Sequence, residues 1–454
     1  MIIPMSQTIT AAHVFENLKK SILADGFDMV LDIAKSRGAR LYDSKNNRTF
    51  IDFFSFFASN PLGMNHPKLF NKDFEKKLLD HARVKISNSD IYTEAYAEFI
   101  ATFHQTAAPM FDRLFFIDGG ALGVENAIKA AQDWKVQKNI AAGKGEKGTQ
   151  VLHFKEAFHG RTGYTLSLTN TLLDKVQYFP KFDWPRITNP KRTFPETAES
   201  IQKTVELEKQ SIAEAEKAFE TRKDEICAII IETIQGEGGD NLFRKEFFQK
   251  LRELADKHDA MLIFDEVQTG MGLTGRFWAF EHFGVMPDMI AFGKKTQVCG
   301  CAARMKRLDE VNNVFRKSSR INSTFGGNLV DMIRTTQFLD VIVEEKLLDH
   351  VTSMGATVKG ELESFAKEFA SLMSNVRGLG LWLAFDLPTK ELRDEMVSLA
   401  WKKGLIVLRC GDRSIRLRPV LDLKEDEAQE GLQILKACAA ELSVEERKKV
   451  HGHG

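Results

Sequence analysis

The run Met261-Leu-Ile-Phe-Asp265 constrains this chain more than any other stretch. Four apolar residues end abruptly in the pair Asp265-Glu266, and a turn that contains glycine follows. A short run that is apolar throughout is typical of a parallel strand buried on both faces. In open α/β sheets, ligands bind in the crevice beyond the carboxyl ends of such strands. The run therefore predicts a buried strand that presents Asp265 to a ligand site.

A second apolar run, Met289-Ile-Ala-Phe-Gly293, repeats the pattern and ends at Lys294-Lys295. An acid and an amine at two strand ends can face one pocket. Pyridoxal phosphate chemistry needs this pair, because a lysine forms the Schiff base and an aspartate keeps the pyridine nitrogen protonated. From these two runs alone, an alternative stays open in which Asp265 caps the next turn and Lys294 is solvated.

Composition excludes several classes of protein. The chain has 63 basic and 63 acidic residues, so nothing indicates nucleic acid or an anionic membrane as a partner. Its five cysteines are scattered and lack the spacing of zinc sites or of a disulfide framework, which favours a reduced cytoplasm and no metal site. We find neither a secretion signal near the start nor an apolar run of ~18 residues, the length of a membrane span.

Strands and helices alternate through the middle of the chain. Strand-like runs span residues 113–118, 149–155, 226–232, 261–265 and 289–293, and helical patterns span residues 124–131, 198–221 and 247–255. Repeated strand-helix-strand units favour a mainly parallel sheet. Beyond about Thr324 the pattern changes to helical stretches at 328–345 and 350–369 and strand-like stretches at 376–387, 405–409 and 414–418. We predict an α/β protein with a mainly parallel sheet in a large domain and a smaller α+β domain.

Three parts of the chain are predicted from this pattern. Residues 61–325 form the large cofactor-binding domain, residues 326–454 form the small C-terminal α+β domain, and residues 1–60 are an N-terminal segment that packs with the small domain. Within this segment, residues 43–47 have the composition of a hairpin turn. The phenylalanines that follow favour core packing, although a place in the wall of an active site stays open: Phe53, Phe54, Phe56 and Phe57.

The turn Gly119-Gly120-Ala121 lies between a predicted strand and a predicted helix. Free backbone amides and the helix dipole make such a helix start an anion site, which would suit a phosphate. Two glycines before a helix are also common in an ordinary tight turn, so this signal is weak by itself.

Six motifs, taken together and in order, resemble the class III (ornithine and 4-aminobutyrate type) aminotransferases of fold type I, which depend on pyridoxal 5'-phosphate. They extend over nearly the whole chain and cover residues 116–121, 158–161, 264–270, 287–294, 375–381 and 414–419.

The resemblance implies a role for each residue around the cofactor ring. Lys294 would be the Schiff base lysine, and Asp265 would pair with the pyridine nitrogen. Val267 would pack under the ring and Phe158 would stack on its other face. Gln268 would reach the phenolic oxygen.

The resemblance also implies a phosphate site built by two subunits. Gly120 and Ala121 would supply backbone amides, and Thr324 would reach the phosphate from a second subunit, so a homodimer with shared active sites is expected. Residues 119–122 depart from the family, which commonly has Ser-Gly-(Ala/Thr)-Glu there, and this puts one phosphate contact in doubt. Residues 294–299 also depart from the glycine-rich sequence of the family.

These departures, with residues 87–90, 163–169 and 234–239, resemble the L-lysine 6-aminotransferase (lysine ε-aminotransferase) branch. That branch implies transfer of the ε-amino group of L-lysine to 2-oxoglutarate. The expected products are L-glutamate and 2-aminoadipate 6-semialdehyde, which cyclises to piperideine-6-carboxylate.

Both substrates carry carboxylates, for which arginine is the suited anchor. The resemblance implies that Arg161 holds the carboxylate farthest from the reacting carbon and that Arg416 holds the α-carboxylate of 2-oxoglutarate. Glu237 would pair with Arg416 while lysine is bound and swing away when 2-oxoglutarate enters, and we expect the glycines on either side of it to make this rearrangement easy. Without the resemblance, simpler interpretations are available. Arg161 would be a surface residue, Arg416 would form a salt bridge on a strand face, and Glu237 would be a surface residue.

Two alternatives of different kinds stay open. One is another ω-aminotransferase, for ornithine, 4-aminobutyrate or a similar terminal amine. The other is a non-catalytic relative or a metal-dependent hydrolase that uses Asp265 and Glu266.

Overall fold

A seven-stranded sheet forms the centre of the computed structural model, which describes residues 9–451. The ends of the first and third predicted parts, residues 1–8 and 452–454, lie outside the described residues. The strands are β1 Leu31–Arg37, β2 Arg40–Asp43, β3 Arg48–Asp52, β4 Arg113–Ile117, β5 Gln150–Phe154, β6 Arg186–Ile187, β7 Ile226–Glu232, β8 Met261–Asp265, β9 Met289–Phe292, β10 Cys299–Ala303, β11 Ser374–Leu379, β12 Trp382–Asp386, β13 Leu405–Ile406, β14 Leu408–Cys410 and β15 Ser414–Leu417.

Helices form much of the rest of the described chain. They are α1 Val14–Lys19, α2 Ser55–Ala58, α3 Lys72–Ala82, α4 Glu94–Thr106, α5 Gly120–Ala141, α6 Gly163–Leu168, α7 Ala198–Thr221, α8 Lys245–Lys257, α9 Met305–Leu308, α10 Leu329–Glu344, α11 Leu347–Glu368, α12 Lys390–Lys403 and α13 Glu425–His451. Short 3-10 helices lie at Ala11–His13, Pro67–Leu69, Leu173–Lys175, Ala279–His282 and Lys294–Thr296. No helix within residues 9–451 has both the length and the apolar character that a membrane crossing requires.

The strand order of the central sheet is β4-β10-β9-β8-β7-β5-β6. Strands β5 to β9 pair in parallel, whereas β10 runs antiparallel to both of its neighbours. Successive residues of β8 pack into opposite layers: Leu262 and Phe264 join one buried cluster, and Met261 and Ile263 join the other. The predicted mainly parallel α/β fold is therefore confirmed, with β10 as its antiparallel member.

The pairing of β7, β8 and β9 brings their terminal acidic and basic residues to one edge of the sheet. Glu232, the last residue of β7, pairs with Asp265, the last residue of β8, and Asp265 pairs with Ala291 of β9. Because parallel strands end on the same side, Lys294, which follows β9, reaches the same crevice.

Two smaller sheets complete the fold. One has the order β1-β2-β3-β13 and contains the predicted hairpin, whose turn joins β2 to β3. The other has the order β11-β12-β15-β14 and is antiparallel. Strand β13 pairs with β3, so the N-terminal segment and the C-terminal region share a sheet. The boundaries of the three predicted domains stay a prediction.

Several local predictions differ from the structure. Residues 376–387 form two strands of a hairpin, β11 and β12, rather than one strand-like stretch, and residues 405–409 are divided between β13 and β14 in different sheets. Phe53 and Phe54 are buried as predicted, but half of Phe57 is exposed. The reason lies in the backbone of α2, where all four residues have positive φ, so this left-handed turn points its side chains away from a regular helical face.

A buried ion pair joins the loop after β7 to the end of β15. Arg418 donates to the carboxylate of Asp240, and both side chains are completely buried. The Arg418 guanidinium also lies over the Trp382 ring, 3.4 Å from its centroid. Its backbone N–H donates to the carbonyl of Phe53 at 2.8 Å. This pair therefore connects the N-terminal segment, the central sheet and the C-terminal sheet.

We predict that Asp240→Ala lowers the free energy of unfolding by about 3–5 kcal/mol, because it leaves a buried guanidinium without its counter-ion. Urea unfolding would measure the loss. The matched control is Asp183→Ala, which removes the partner of Arg222; Asp183 is 96% exposed. This control should lose less than about 1 kcal/mol. Similar losses in the two variants would contradict the structural role of the buried pair.

Candidate active site

A cavity of about 220 Å³ lies at the carboxyl ends of β7, β8 and β9. Most of the residues predicted for the site line it. They are Gly120, Ala121, Phe158, Arg161, Asp265, Val267, Gln268 and Lys294. A larger cavity of about 660 Å³ lies beside Asp288, at the opposite end of β9, and none of the predicted site residues lines it. The smaller cavity is therefore the candidate site.

Lys294 presents its amine to this cavity from a strained backbone position, with φ of +54°. Burial lowers the pKa of Lys294, and the nearby Arg416 guanidinium lowers it further, while Asp265 opposes the shift. A larger fraction of the amine is therefore neutral near neutral pH than in an ordinary lysine. A neutral amine is the form that can accept a proton or attack a carbonyl carbon.

Asp265 is the buried carboxylate opposite this amine. It accepts hydrogen bonds from Nδ1 of His159 at 2.7 Å and from the backbone N–H of Val267 at 2.9 Å. The side chain of His159 is completely buried. Its Nε2 has no hydrogen-bond partner within the described part of the chain. His159 lies inside a motif that the sequence singled out, but sequence reasoning gave it no role.

Glu232 is a second carboxylate that sequence reasoning missed. Burial raises its pKa well above the ordinary value, and repulsion from Asp265 adds to the shift. Its carboxyl oxygens accept hydrogen bonds from the backbone N–H groups of Phe158 at 2.8 Å and Gly236 at 3.1 Å. The available signal was that Glu232 ends its strand as Asp265 ends the next one. The protonated form of Glu232 is therefore favoured more than in an exposed glutamate.

The start of α5 forms an uncapped cradle beside the cavity. No side chain caps this helix, and its first backbone bonds to Gly119 come from Leu122 and Gly123. The preceding N–H groups, of Gly120 and Ala121, are thus free to meet an anion, as a phosphate would require. A Cβ at Gly120 would lie 2.7 Å from Cγ1 of Val267, so glycine allows the helix start to approach the turn after β8 closely.

Arg416 is buried beside the cavity and has a carboxylate partner. Its Nη2 donates to Oε2 of Glu237 at 3.1 Å, and its Nη1 lies 3.4 Å from Oε1 of Gln268. The predicted neighbours Arg416 and Glu237 are therefore in contact. The other carboxylate oxygen of Glu237 accepts from Lys175, a residue that sequence reasoning did not identify. Arg161 is exposed, 6.0 Å from the centroid of the Phe158 ring.

The backbone around Glu237 is closely packed. A Cβ at Gly236 would lie 2.6 Å from Oε1 of Gln268, and one at Gly238 would lie 2.1 Å from the carbonyl oxygen of Glu156. The carbonyl of Glu237 accepts from the backbone N–H of Gly411 at 2.9 Å. The two glycines are thus explained by close packing rather than by freedom to move.

Thr324 is exposed and lies outside the cavity, on the loop before α10. The loop is held by serine side chains: Ser87 donates to the carbonyl of Thr324 at 2.5 Å, and Ser89 donates to that of Ser323 at 2.6 Å. Within one chain, the structure does not bring Thr324 to the predicted phosphate cradle.

Glu266 faces away from the cavity. Its carboxylate accepts from the Thr269 hydroxyl and from the backbone N–H groups of Ala279 at 3.0 Å and Phe280 at 2.8 Å. Burial raises its pKa to about 7. Within residues 9–451, no three His, Cys, Asp or Glu residues are grouped so that they could hold a metal ion. Glu266 therefore has a structural role. The alternative of a metal-dependent hydrolase is not supported, because Glu266 does not face the cavity together with Asp265.

Lys295 points away from the cavity, unlike Lys294. Its buried amine donates to the carbonyl of Ala58 at 2.8 Å and lies 3.5 Å from that of Gln268. Burial lowers its pKa well below the ordinary value, and repulsion from Arg418 and Lys294 adds to the effect. Lys295 thus attaches the turn α2 to the floor of the site.

This burial predicts a pH effect on stability. A lysine whose folded pKa is depressed takes up a proton on unfolding, so its contribution to stability rises with pH until the unfolded pKa of about 10.4 is reached. Between about pH 7 and pH 9, the free energy of unfolding should therefore rise less steeply in Lys295→Met than in the wild type, by up to about 1.4 kcal/mol per pH unit. Urea unfolding across this range measures the slopes, and the surface variant Lys257→Met is the control. Equal slopes in all three proteins would show that Lys295 is charged in the fold.

Comparisons with known proteins agree with this geometry. The family profile described as Aminotransferase class-III matches residues 22–439. The L-lysine-epsilon aminotransferase of Mycobacterium tuberculosis is 46% identical over 433 residues, which is 94% of this chain and 96% of that protein. The protein of the same name from Streptomyces clavuligerus is 45% identical over 429 residues, covering 94% and 93%, respectively.

Solved structures agree as well. The lysine aminotransferase from M. tuberculosis in the internal aldimine form superimposes with a TM-score of 0.92 at 46% identity, over 95% of this chain and 99% of that one. The ornithine aminotransferase from Toxoplasma gondii, at 22% identity and a TM-score of 0.78 over 97% of each chain, shares the fold. The resemblance and the fold class predicted from the sequence are thus confirmed. The chain belongs to the class III aminotransferase family, and its cofactor is pyridoxal phosphate.

Proposed function

We propose that this protein transfers the ε-amino group of L-lysine to 2-oxoglutarate. The observation that carries the proposal is the Arg416 guanidinium, which lies beside the Lys294 cavity and is neutralised by an acid of its own chain, Glu237. An enzyme that alternates between a lysine and a dicarboxylic keto acid needs one cation that can be neutralised in one half-reaction and exposed in the other. The names of the relatives at 44–46% identity support lysine as the amine donor.

The residues that line the cavity suit the cofactor. We assign its phosphate to the amides of Gly120 and Ala121, and its ring to the space between Val267 and Phe158. The charged carboxylate of Asp265 would hold the ring nitrogen protonated, and His159 keeps that carboxylate oriented. Gln268 would meet the phenolic oxygen.

When bound, pyridoxal phosphate carries the amino group between substrates and accepts the electrons released at the substrate carbon. The proton released there needs a base within reach. Lys294 supplies it, because its amine faces the cavity and its lowered pKa keeps part of it neutral.

The two arginines divide the substrate carboxylates between them. Arg161, at the exposed rim, would bind the α-carboxylate of lysine and the 5-carboxylate of 2-oxoglutarate. Arg416 would bind the α-carboxylate of 2-oxoglutarate after Glu237 has left it. With lysine bound, the Arg416–Glu237 pair leaves no uncompensated charge against the methylene chain.

We also propose a cytoplasmic homodimer that shares its active sites. The exposure of Thr324 on a held loop is what a residue that reaches into a second copy requires. The five cysteines are all free and buried, as is usual in a reducing compartment.

The amine donor is tested with the purified holoenzyme at a fixed concentration of 2-oxoglutarate. We predict that L-lysine gives the highest kcat/KM among L-lysine, L-ornithine and 4-aminobutyrate. Lys294→Ala should lose at least about 10²–10⁴-fold in rate, because its proton acceptor is gone. Borohydride reduction of the holoenzyme should label Lys294 and leave Lys295 unlabelled. A higher kcat/KM with another amine would replace lysine as the donor, and label on Lys295 would overturn the assignment of the base.

The exchange of partners by Arg416 predicts unequal effects on the two half-reactions. Glu237→Ala should slow the half-reaction with lysine roughly 10–100-fold, because a buried guanidinium is left unpaired beside an apolar chain. The half-reaction with 2-oxoglutarate should stay within about 2-fold of the wild type, since it does not use the pair.

Single-turnover absorbance measurements would follow each half-reaction separately. Glu237→Gln keeps the shape without the charge and should behave as Glu237→Ala does. The surface variant Glu216→Ala, in which the acid that pairs with Lys257 is removed, is the control. Equal losses in both half-reactions would refute the exchange.

A further inference from the structure

Glu237 is held by two cations, one at each carboxylate oxygen. Oε2 accepts from Nη2 of Arg416 at 3.1 Å, and Oε1 accepts from Nζ of Lys175. The three side chains differ in burial: Arg416 is 3% exposed, Glu237 is 21% exposed and Lys175 is 19% exposed. Glu237 can therefore leave Arg416 without losing its other counter-ion.

Lys175 is placed for this role by a short helical turn. It ends the 3-10 helix Leu173–Lys175, which is anchored by the buried side chain of Val176. Its Nζ lies 5.4 Å from the centroid of the Phe158 ring, so the amine is held at the wall of the cavity. Lys175 and Glu237 are 62 residues apart in the sequence.

Space is available beside Glu237. A further cavity of about 240 Å³, which Arg416 does not line, includes Glu237 in its lining, together with Leu172, Arg393, Arg409 and Gly411. The backbone of Glu237 is fixed, as its bond to Gly411 and the packing of its flanking glycines show. The displacement is thus a rotation of the Glu237 side chain toward a region lined by three basic residues and one acid: Lys390, Arg393, Arg409 and Asp412.

The charges of the two substrates explain why a second cation is needed. 2-Oxoglutarate brings two carboxylates, one of which takes Arg416 under the proposed function. A displaced Glu237 would then be an unpaired carboxylate close to the carboxylate of the substrate, which costs free energy in a partly buried site. A cation that stays with Glu237 removes this cost.

We infer that Lys175 is the counter-ion that keeps Glu237 when Arg416 binds the α-carboxylate of 2-oxoglutarate, and that it is thereby a positioning residue for the second half-reaction. The inference rests on the proposed exchange at Arg416. Lys175 would act through Glu237 and would contact neither the cofactor nor the substrate.

The test compares both half-reactions of the holoenzyme in single turnovers. Lys175→Met keeps a side chain of similar length but removes the charge, so Glu237 competes with the keto acid for Arg416. The apparent Kd for 2-oxoglutarate should rise about 10-fold or more. The half-reaction with lysine should change less than about 2-fold. Lys175→Arg should restore the wild-type affinity, and the surface variant Lys257→Met should leave both half-reactions unchanged.

The double variant Glu237→Ala/Lys175→Met separates this role from others. Once Glu237 is absent, removal of Lys175 should have no further effect on the Kd for 2-oxoglutarate. A rise in Kd that persists in the Glu237→Ala background would mean that Lys175 binds the substrate itself. Equal losses in both half-reactions would mean that Lys175 has a structural role. Either result overturns the inference. Failure of the wild type to accept L-lysine would instead reject the proposed donor, because the half-reaction with 2-oxoglutarate is measured separately.

Discussion

The cleft of this protein depends on how its buried charges neutralise one another. Two arginines lie close together here: Arg416 is within strand β15, and Arg418 follows the end of that strand. Both reach the loop after β7, where they meet Glu237 and Asp240. The Arg418–Asp240 pair is completely sealed, whereas Glu237 keeps 21% of its surface exposed. One pair can therefore anchor the loop permanently, while the other is open enough for a substrate to replace a partner.

Burial also decides which groups at the site carry charge. Glu232 lies next to Asp265, and two adjacent carboxylates cannot both ionise cheaply in a dry site. Burial and this repulsion raise the pKa of Glu232. Burial lowers the pKa of Lys295, which has carbonyl partners and no acid. Burial thus disfavours charge at two groups that the proposed chemistry does not use.

The sequence predicted the parts of the fold that are set by local pattern. The bounds of β7 and α7 agree with the predicted 226–232 and 198–221, because a continuous apolar run and a long amphipathic run leave little ambiguity. Strand β10, Cys-Gly-Cys-Ala-Ala, was missed because it contains no β-branched or aromatic residue, and its pairing with β4 and β9 comes from tertiary structure. Helices α3, α4, α12 and α13 were also not predicted.

The same distinction applies to the site residues: local sequence pattern predicted some of them and not others. Those that end a strand or begin a helix, such as Asp265 and Gly120, could be found from their position in a motif. Of the pairs that act across long sequence distances, Arg416–Glu237 was expected only from the family resemblance, and the contacts of His159 and Lys175 were not found. His159 meets Asp265 across 106 residues, and Lys175 meets Glu237 across 62. Only the folded chain shows that these groups touch, because no local pattern records a contact between a turn and a distant loop.

The rigidity of the Glu237 loop has a consequence for how one pocket accepts two substrates. Arg377 donates to the carbonyls of Gly239 at 2.5 Å and Asp240 at 3.0 Å, and this binds the loop to the C-terminal sheet. A backbone held in this way cannot supply the change between half-reactions, so the change must come from side-chain rotation. Rotamer changes of exposed side chains take picoseconds to nanoseconds, whereas collective movements of the backbone take microseconds or longer. A rotation of Glu237 between Arg416 and its second cation needs no such collective movement, so the site would alternate between a cationic amine donor and a dianionic acceptor with its backbone in place.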